Sequence, residues 1–340
     1  MILYIGNKLS IHGFTPTTID TLGPKLQEDF SVILISDKKN KVLRFWDAIQ
    51  TIIKFRGKLS AILIDTYSTS NFYYTLVSAL LAKRFGIPYV PILHGGGLPN
   101  RLKQTPRLSR QVFSNAYVNA SPSHYLEKEF RDSGYEVKYI PNYIETKNYP
   151  GFKRTTLRPR LLYVRSFHKI YNPTMAVKVL FELSKDYKDV ELCMVGPDKD
   201  GSLEDTLNLA RELKVDSRLK ITGKLSKEEW IAISKDYDIF INTTNFDNLP
   251  VSVIEAMCLG FPIVSTNPGG LSYLIEHETD GMLLDPDDVG AMAGHIRKLL
   301  DDPSLAEKLS KNAISKAHTY DWSEIRKKWG ELLHEIKGVS

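Results

Sequence analysis

The stretch Asn242-Thr-Thr-Asn-Phe-Asp247-Asn248-Leu249-Pro250-Val251-Ser252-Val-Ile-Glu255-Ala256-Met257 reads as a strand end, a polar loop and a buried helix. Pro is favoured in the first turn of a helix, so Pro250 places the helix start. Asp247 then lies just before the N-terminus and Glu255 about a turn and a half inside. A helix start carries unpaired N–H groups and a positive dipole end, which suit a phosphate. Two carboxylates beside such a site are an odd choice for phosphate alone. They fit a ligand with hydroxyls on both sides of its phosphates, which a sugar nucleotide is. Taken singly, Asp247 is also an ordinary turn or capping residue, and Glu255 one favoured by the helix dipole.

Outward from this stretch, short β-rich runs alternate with helical patterns. The first half places strands at 2–5, 32–35, 61–64, 89–93, 116–119 and 137–140. The second places them at 160–164, 191–195, 219–222, 239–242, 263–265 and 281–283. Strands alternating with helices imply parallel sheets covered on both faces. Two such series predict an α/β protein of two doubly wound, Rossmann-like domains facing each other across a cleft. The polar Pro- and Gly-containing segment 142–154 marks the boundary. The expected domains are 1–148 and 149–321.

Composition is that of an ordinary globular chain: 340 residues, 42% hydrophobic and 25% charged. No run of 18 apolar residues is present, so no membrane-spanning helix is expected. The start Met-Ile-Leu-Tyr-Ile-Gly reads as a first strand and lacks the basic region and cleavage site of a leader. Cys193 and Cys258 lie in apolar surroundings and read as reduced core thiols of a cytoplasmic protein. The net charge of +5 is uneven. Residues 1–150 hold 19 Lys and Arg against 11 Asp and Glu, a balance of +8, and the remainder carries −3. An anionic partner for the first half follows, a membrane surface before a nucleic acid, for which no motif is present. Segment 41–58 sharpens this. Val42, Phe45 or Trp46, Ile49, and Ile52 or Ile53 recur at helical spacing among five basic residues. Core packing of the apolar stripe is the plainer reading, and peripheral membrane contact by the basic face the sharper one.

The quoted stretch resembles the acidic-x7-Glu signature of the retaining glycosyltransferases of family 4, which have the GT-B fold, with Asp where Glu is usual. Pro262-Ile-Val-Ser-Thr266-Asn-Pro-Gly269-Gly270 and Asp280-Gly281-Met-Leu-Leu resemble the same family. The resemblance covers about 2–322. It implies transfer of a sugar from a nucleotide-diphosphate donor to a glycan or lipid-linked acceptor, with retention and without a metal or other cofactor. It implies a final helix, 322–340, that packs back on the first domain. It also implies roles. Glu255 would accept the ribose hydroxyls, and Asp247 would grip the donor sugar. Asn248, Leu249, Pro250 and Ser252 would meet the phosphates at the helix start. Arg165, with its planar fork, and Lys169 would do so from the loop after 160–164, although Tyr171-Asn172 stands where Lys-Gly is usual. His94, at the end of the run Pro91-Ile-Leu-His94-Gly-Gly-Gly, would touch the donor sugar near the reacting carbon. Gly13 and Thr15 would lie in an acceptor-side loop. Such catalysis is mostly positioning and electrostatics.

Two alternatives share these features. One is another GT-B enzyme, such as a nucleotide-sugar epimerase. The other is a non-catalytic nucleotide-sugar-binding subunit. Asp198-Lys-Asp200 and Asp236-Tyr-Asp238 match a metal pattern of a different glycosyltransferase fold, a triplet common by chance.

Overall fold

The computed structural model of the chain describes residues 1–13 and 16–339. The chain divides into two compact units: Met1–Pro141 with Ile325–Ser340, and Asn142–Glu324.

The first unit carries β1 (Ile2–Ile5), β2 (Val32–Ile35), β3 (Ala61–Tyr67), β4 (Tyr89–His94), β5 (Asn119–Ser121) and β6 (Val137–Tyr139) in the sheet order β2-β1-β3-β4-β5-β6. The second carries β7 (Arg160–Val164), β8 (Glu191–Val195), β9 (Leu219–Gly223), β10 (Ile239–Asn242), β11 (Ile263–Thr266) and β12 (Met282–Leu284) in the order β12-β11-β10-β7-β8-β9. The described strand pairs are parallel throughout. The expected α/β, two-domain Rossmann-like architecture is therefore what the chain forms.

Alternation along the strands explains the layers. In the second unit Leu161, Tyr163, Leu192, Met194, Ile239 and Ile241 join one core cluster, whereas Leu162, Cys193, Val195 and Phe240 join the other. Successive side chains of a strand point to opposite faces, and helices cover both. Cys193 and Cys258 are buried free thiols in this second cluster. Burial raises the Cys193 thiol and pushes Cys258 up to about 11.

Each sheet has one point where the strand order reverses: between β1 and β3 in the first, and between β7 and β10 in the second. Ligands of open α/β sheets bind beyond the carboxyl ends of strands at such points.

Three local expectations are corrected. β3 runs three residues beyond the expected 64, which carries Asp65 into the sheet opposite Ile92. β5 begins at Asn119, because Tyr117 N–H turns to Tyr89 O and the Asn119 amide caps Phe113 O and Glu136 O. The segment from Asn142 belongs with the second unit. Ile144 bridges to Asp321 there, and the Asp321 carboxylate accepts from Thr146 N and Oγ1 at 3.0 and 2.6 Å.

The helix Lys41–Phe55 corrects the expected apolar stripe as well. Val42, Leu43, Trp46 and Ile53 are 62, 59, 54 and 41% exposed, while Arg44, Ala48 and Ile52 are buried. Arg44, Ala48 and Ile52 fall at i, i+4 and i+8, one face of a helix. Arg44 tolerates that position because its guanidinium donates to Lys38 O at 3.1 Å and lies 5.8 Å from the Tyr74 ring centre.

Candidate active site

In the second unit the reversal point gathers the loops after β7 and β10. Threonines stitch them together. Thr243 Oγ1 donates to Asn172 O at 2.8 Å and Thr244 Oγ1 to Phe246 O at 2.9 Å, while Thr266 Oγ1 donates to Thr244 O at 2.6 Å. Asn245 N–H reaches Ile170 O at 2.8 Å. The hydroxyls replace ladder bonds that the strands no longer supply, so both loops are fixed.

Onto this frame the structure brings Arg165 and Asp247 together as an ion pair, with side chains 17 and 13% exposed. The Arg165 guanidinium lies 4.1 Å from the centre of the Tyr171 ring, and the Arg165 N–H bonds Val195 O at 3.0 Å. Asp247 Oδ1 accepts from Asn248 N at 2.7 Å. Arg165 Nε is buried and has no hydrogen-bond partner among the described residues.

The tract Pro268-Gly269-Gly270 shapes this corner. Gly270 N–H donates to Asp247 O at 2.8 Å. A Cβ on Gly270 would collide with the Asn248 backbone, and one on Gly269, at φ +66°, with Asp247 O. Only glycine permits this close approach. The tract was noticed in the sequence, but its task as the seat of the Asp247–Asn248 loop was not.

Pro250 sits one residue earlier than expected, as the capping residue with φ −72° and ψ 105°, and the helix is Val251–Cys258. Val251 and Ser252 N–H have no backbone acceptor among the described residues. The Ser252 hydroxyl is likewise buried without a partner. Asn248 and Leu249 are nearly covered. Unsatisfied buried donors are uncommon in folded proteins, and here several meet at one helix N-terminus with a guanidinium alongside.

Glu255 is buried, and its Oε1 already accepts from Tyr149 Oη and Lys227 Nζ, each at 2.6 Å. Burial first, and the Glu255 charge second, drive the Tyr149 hydroxyl far above its ordinary pKa, so it remains a donor. A carboxylate offers about four lone-pair sites, which leaves Glu255 capacity beyond these two. Neither Tyr149 nor Lys227 was foreseen; nothing in the chain's local pattern marks them.

Lys169 departs from its expected place. Its side chain is exposed, and what it contributes is a backbone N–H to Asp200 Oδ2 at 3.0 Å. That bond, with one from Ser202 Oγ, holds the Asp200 carboxyl at about 2. Asp198 caps Gly201 N–H at 3.0 Å. Both aspartates thus serve the turn before the next helix. Among the described residues no group of three or more His, Cys, Asp or Glu is placed to hold a metal ion.

A cavity of about 210 Å3 opens beside Arg165, lined also by Tyr171, Gly196, Lys224, Leu225 and Trp230. In the first unit His94 ends β4, and its Nε2 lies 2.8 Å from Asp65 Oδ1. Gly13 closes the short turn Ser10–His12 in the left-handed region, at φ +81°. Thr15 lies outside the described residues.

Residues 150–316 match the model of the family Glycosyl transferases group 1. The matched region contains Arg165, Lys169, Lys227, Asp247, Ser252 and Glu255, and begins just after Tyr149. Among curated relatives, the glycogen synthase of Mycobacterium tuberculosis is 25% identical over 264 residues, 72% of this chain and 62% of that protein. The D-inositol 3-phosphate glycosyltransferase of Corynebacterium kroppenstedtii is 23% identical over 212 residues, 58% of this chain and 47% of that protein. The chain thus spans less than two thirds of the length of these relatives. Among solved structures, HepE of Anabaena in complex with UDP superposes with a TM-score of 0.77 at 16% identity, covering 98% of this chain and 99% of that one. A glycosyltransferase of Rickettsia africae gives 0.72 at 15% identity, with 98% of each chain covered. The fold is shared with these structures.

Proposed function

We propose that the chain moves a glycosyl group from a nucleotide-diphosphate sugar to a glycan or lipid-linked acceptor, with retention, in the manner of family 4. One observation carries this reading. At the reversal point of the second sheet, inside the group 1 region, a half-buried guanidinium, an unpartnered Ser252 hydroxyl and free helical N–H groups converge beside Asp247. Such donors suit a diphosphate whose charge grows as the bond to the sugar breaks.

In this reading Arg165 and the amides at Asn248–Ser252 meet the phosphates, with Lys169 at the outer edge. The phosphate takes over donors that now serve Asp247, freeing that carboxylate for the sugar hydroxyls. Glu255 holds the ribose through its remaining lone pairs, and His94 is read as a residue of the donor sugar. The charge is met by protein donors, so the reading calls for no metal. HepE, solved with UDP and with UDP-glucose, supports the choice of uridine donors as first probes.

Thermal melts with UDP, GDP, ADP and their glucose conjugates test this. A ligand at about 100 times its Kd adds about 2.7 kcal/mol to the folded state, a rise of several degrees. No shift with any of them would overturn the reading. Tight binding without transfer would instead favour the non-catalytic subunit, and release of an altered sugar the epimerase.

A second reading concerns where the chain works. The helix Lys41–Phe55 turns Val42, Leu43 and Trp46 to solvent beside exposed Lys39 and Lys41, with Lys54, Arg56 and Lys58 at its other end. Apolar side chains rimmed by cations fit the surface of an anionic bilayer. No described helix is long and apolar enough to cross a membrane, so the reading is peripheral attachment.

A further inference from the structure

We propose that Asp65 is a positioning residue for the transfer reaction, setting which nitrogen of His94 carries a proton and holding the ring in place. The proposal rests on the reading of His94 as a residue at the donor sugar.

The geometry lies wholly within the first unit. Asp65 stands on β3, flanked by β1 and β4. Tyr4 on β1 donates its hydroxyl to Asp65 Oδ1 at 2.9 Å, and His94 on β4 brings Nε2 to the same oxygen at 2.8 Å. The Asp65 side chain is 1% exposed and that of His94 10%. Tyr67, the register partner of His94 on β3, stacks on the imidazole with ring centres 4.9 Å apart and planes 25° from parallel. One carboxylate therefore fixes the ring's inner edge, and one phenol fixes its plane.

The proton assignment follows from what each group can do. A carboxylate accepts only. Tyr4 is wholly buried, and burial first, then the Asp65 charge, raise its hydroxyl well above the ordinary value, so Tyr4 donates. The bond between Asp65 and His94 then requires a proton on Nε2. In the neutral ring Nδ1 is left with its lone pair. A His94 so held offers an acceptor to a substrate hydroxyl, and the carboxylate behind it supports any positive charge the ring gains. Without Asp65 the two tautomers would compete, and a fraction of the rings would present an N–H where a lone pair is needed. Asp65 Oδ2 is buried without a partner, so the carboxylate is not spent on satisfying the local backbone. That argues against a purely structural buried acid.

The test uses the full chain labelled with 15N-histidine and two-bond 1H–15N correlation spectra, without substrate. The chain has eight histidines, and His94→Gln identifies the signal. The wild type should show His94 as the Nε2–H form. Asp65→Asn keeps the shape but can turn a donor toward the ring, and should shift His94 to a mixture or to the Nδ1–H form. Tyr4→Phe disturbs the same buried site but keeps the carboxylate, and should retain Nε2–H. In parallel, UDP release from UDP-glucose should lose about tenfold or more in kcat in Asp65→Asn, with KM within about twofold.

An Nδ1–H ring in the wild type, or an unchanged tautomer in Asp65→Asn, overturns the assignment, and the wild-type spectrum decides even if a variant fails to fold. A changed tautomer with unchanged kcat overturns the role in transfer. The spectra are read without donor, so the tautomer assignment stands or falls separately from the proposed function, which fails if UDP-glucose and every other donor are neither bound nor turned over.

Discussion

The two sheets reverse strand order in the same way, yet they place opposite kinds of acid at the reversal. In the first unit Asp65 is sealed in, 1% exposed, and its partners are a phenol and an imidazole. In the second Asp247 is 13% exposed and faces the Arg165 guanidinium. A carboxylate with hydrogen-bonding partners inside a sheet is committed: removing it strands their donors in an apolar layer. A carboxylate paired with a cation at a cavity mouth is exchangeable, because an incoming anion can take the cation over. The comparison teaches that one topology provides both a fixed reference point and a replaceable one.

That contrast is breakable, most severely at Arg165. Arg165→Ala should lower kcat/KM for the donor by about a hundredfold or more, and weaken nucleoside diphosphate binding far more than nucleoside binding. Titration calorimetry with UDP and uridine checks this. Equal losses for both would take Arg165 off the phosphates.

Asp247→Asn and His94→Ala should come next, each lowering kcat by on the order of tenfold or more while diphosphate affinity holds. Melting temperature separates the two acids further. Asp247→Asn, which keeps the shape and an acceptor oxygen beside Arg165, should cost about 1 kcal/mol, whereas Asp65→Ala should cost about 2–4 kcal/mol through the stranded Tyr4 and His94 donors. If both acids cost the same, the distinction between fixed and exchangeable fails.

Glu255→Ala should raise donor KM about tenfold with less effect on kcat, since a ribose contact is present in ground and transition states alike. Steady-state kinetics with the donor found in the melts would show it, and an unchanged KM in a folded variant would remove the ribose role.

The smallest effect lies on the first unit's surface. Each cation near an anionic bilayer contributes on the order of 1 kcal/mol, screened by salt. Co-sedimentation should show binding to vesicles with phosphatidylserine and not to neutral ones. It should fall with salt, with Lys54, Arg56 and Lys58 changed to Gln, and with Trp46→Glu. Equal binding to both vesicle types, or none, would leave the exposed face of Lys41–Phe55 without this role.

Much of this was legible in the chain. The alternation of apolar strands and helices fixes two parallel sheets because period-2 burial on both faces leaves few other folds. The helix start near Pro250 was legible to within one residue because it is local, whereas the pairing of Arg165 with Asp247, from loops distant in the chain, was not. What escaped depends on neighbours far along the chain. Glu255 meets Tyr149 from 106 residues away, and Asp65 meets Tyr4 from 61. Asp65 did carry a signal, an acid closing the apolar run Ala61-Ile-Leu-Ile, but its value depends on which strands flank it. The stripe on Lys41–Phe55 misled because helical spacing reports amphipathicity, not which side the sheet lies on; a buried arginine at Arg44 decides that, through a carbonyl no periodicity reveals.

The last helix, Trp322–Val339, has an implication for how the chain is made. Ile325, Trp329, Leu332, Leu333 and Ile336 are buried, Arg326 pairs with Asp29, and Lys138 reaches Glu335 at 3.3 Å. These partners belong to the first unit, yet the helix emerges from the ribosome only after the whole second unit. The N-terminal sheet must therefore wait, with its seat for that helix open, until the rest has been synthesised. The second unit, contiguous in sequence, has no such delay. The order of translation is thus the reverse of the order of completion, and a ribosome stalled anywhere before residue 325 would hold an unfinished first unit whose open apolar seat is available to chaperones.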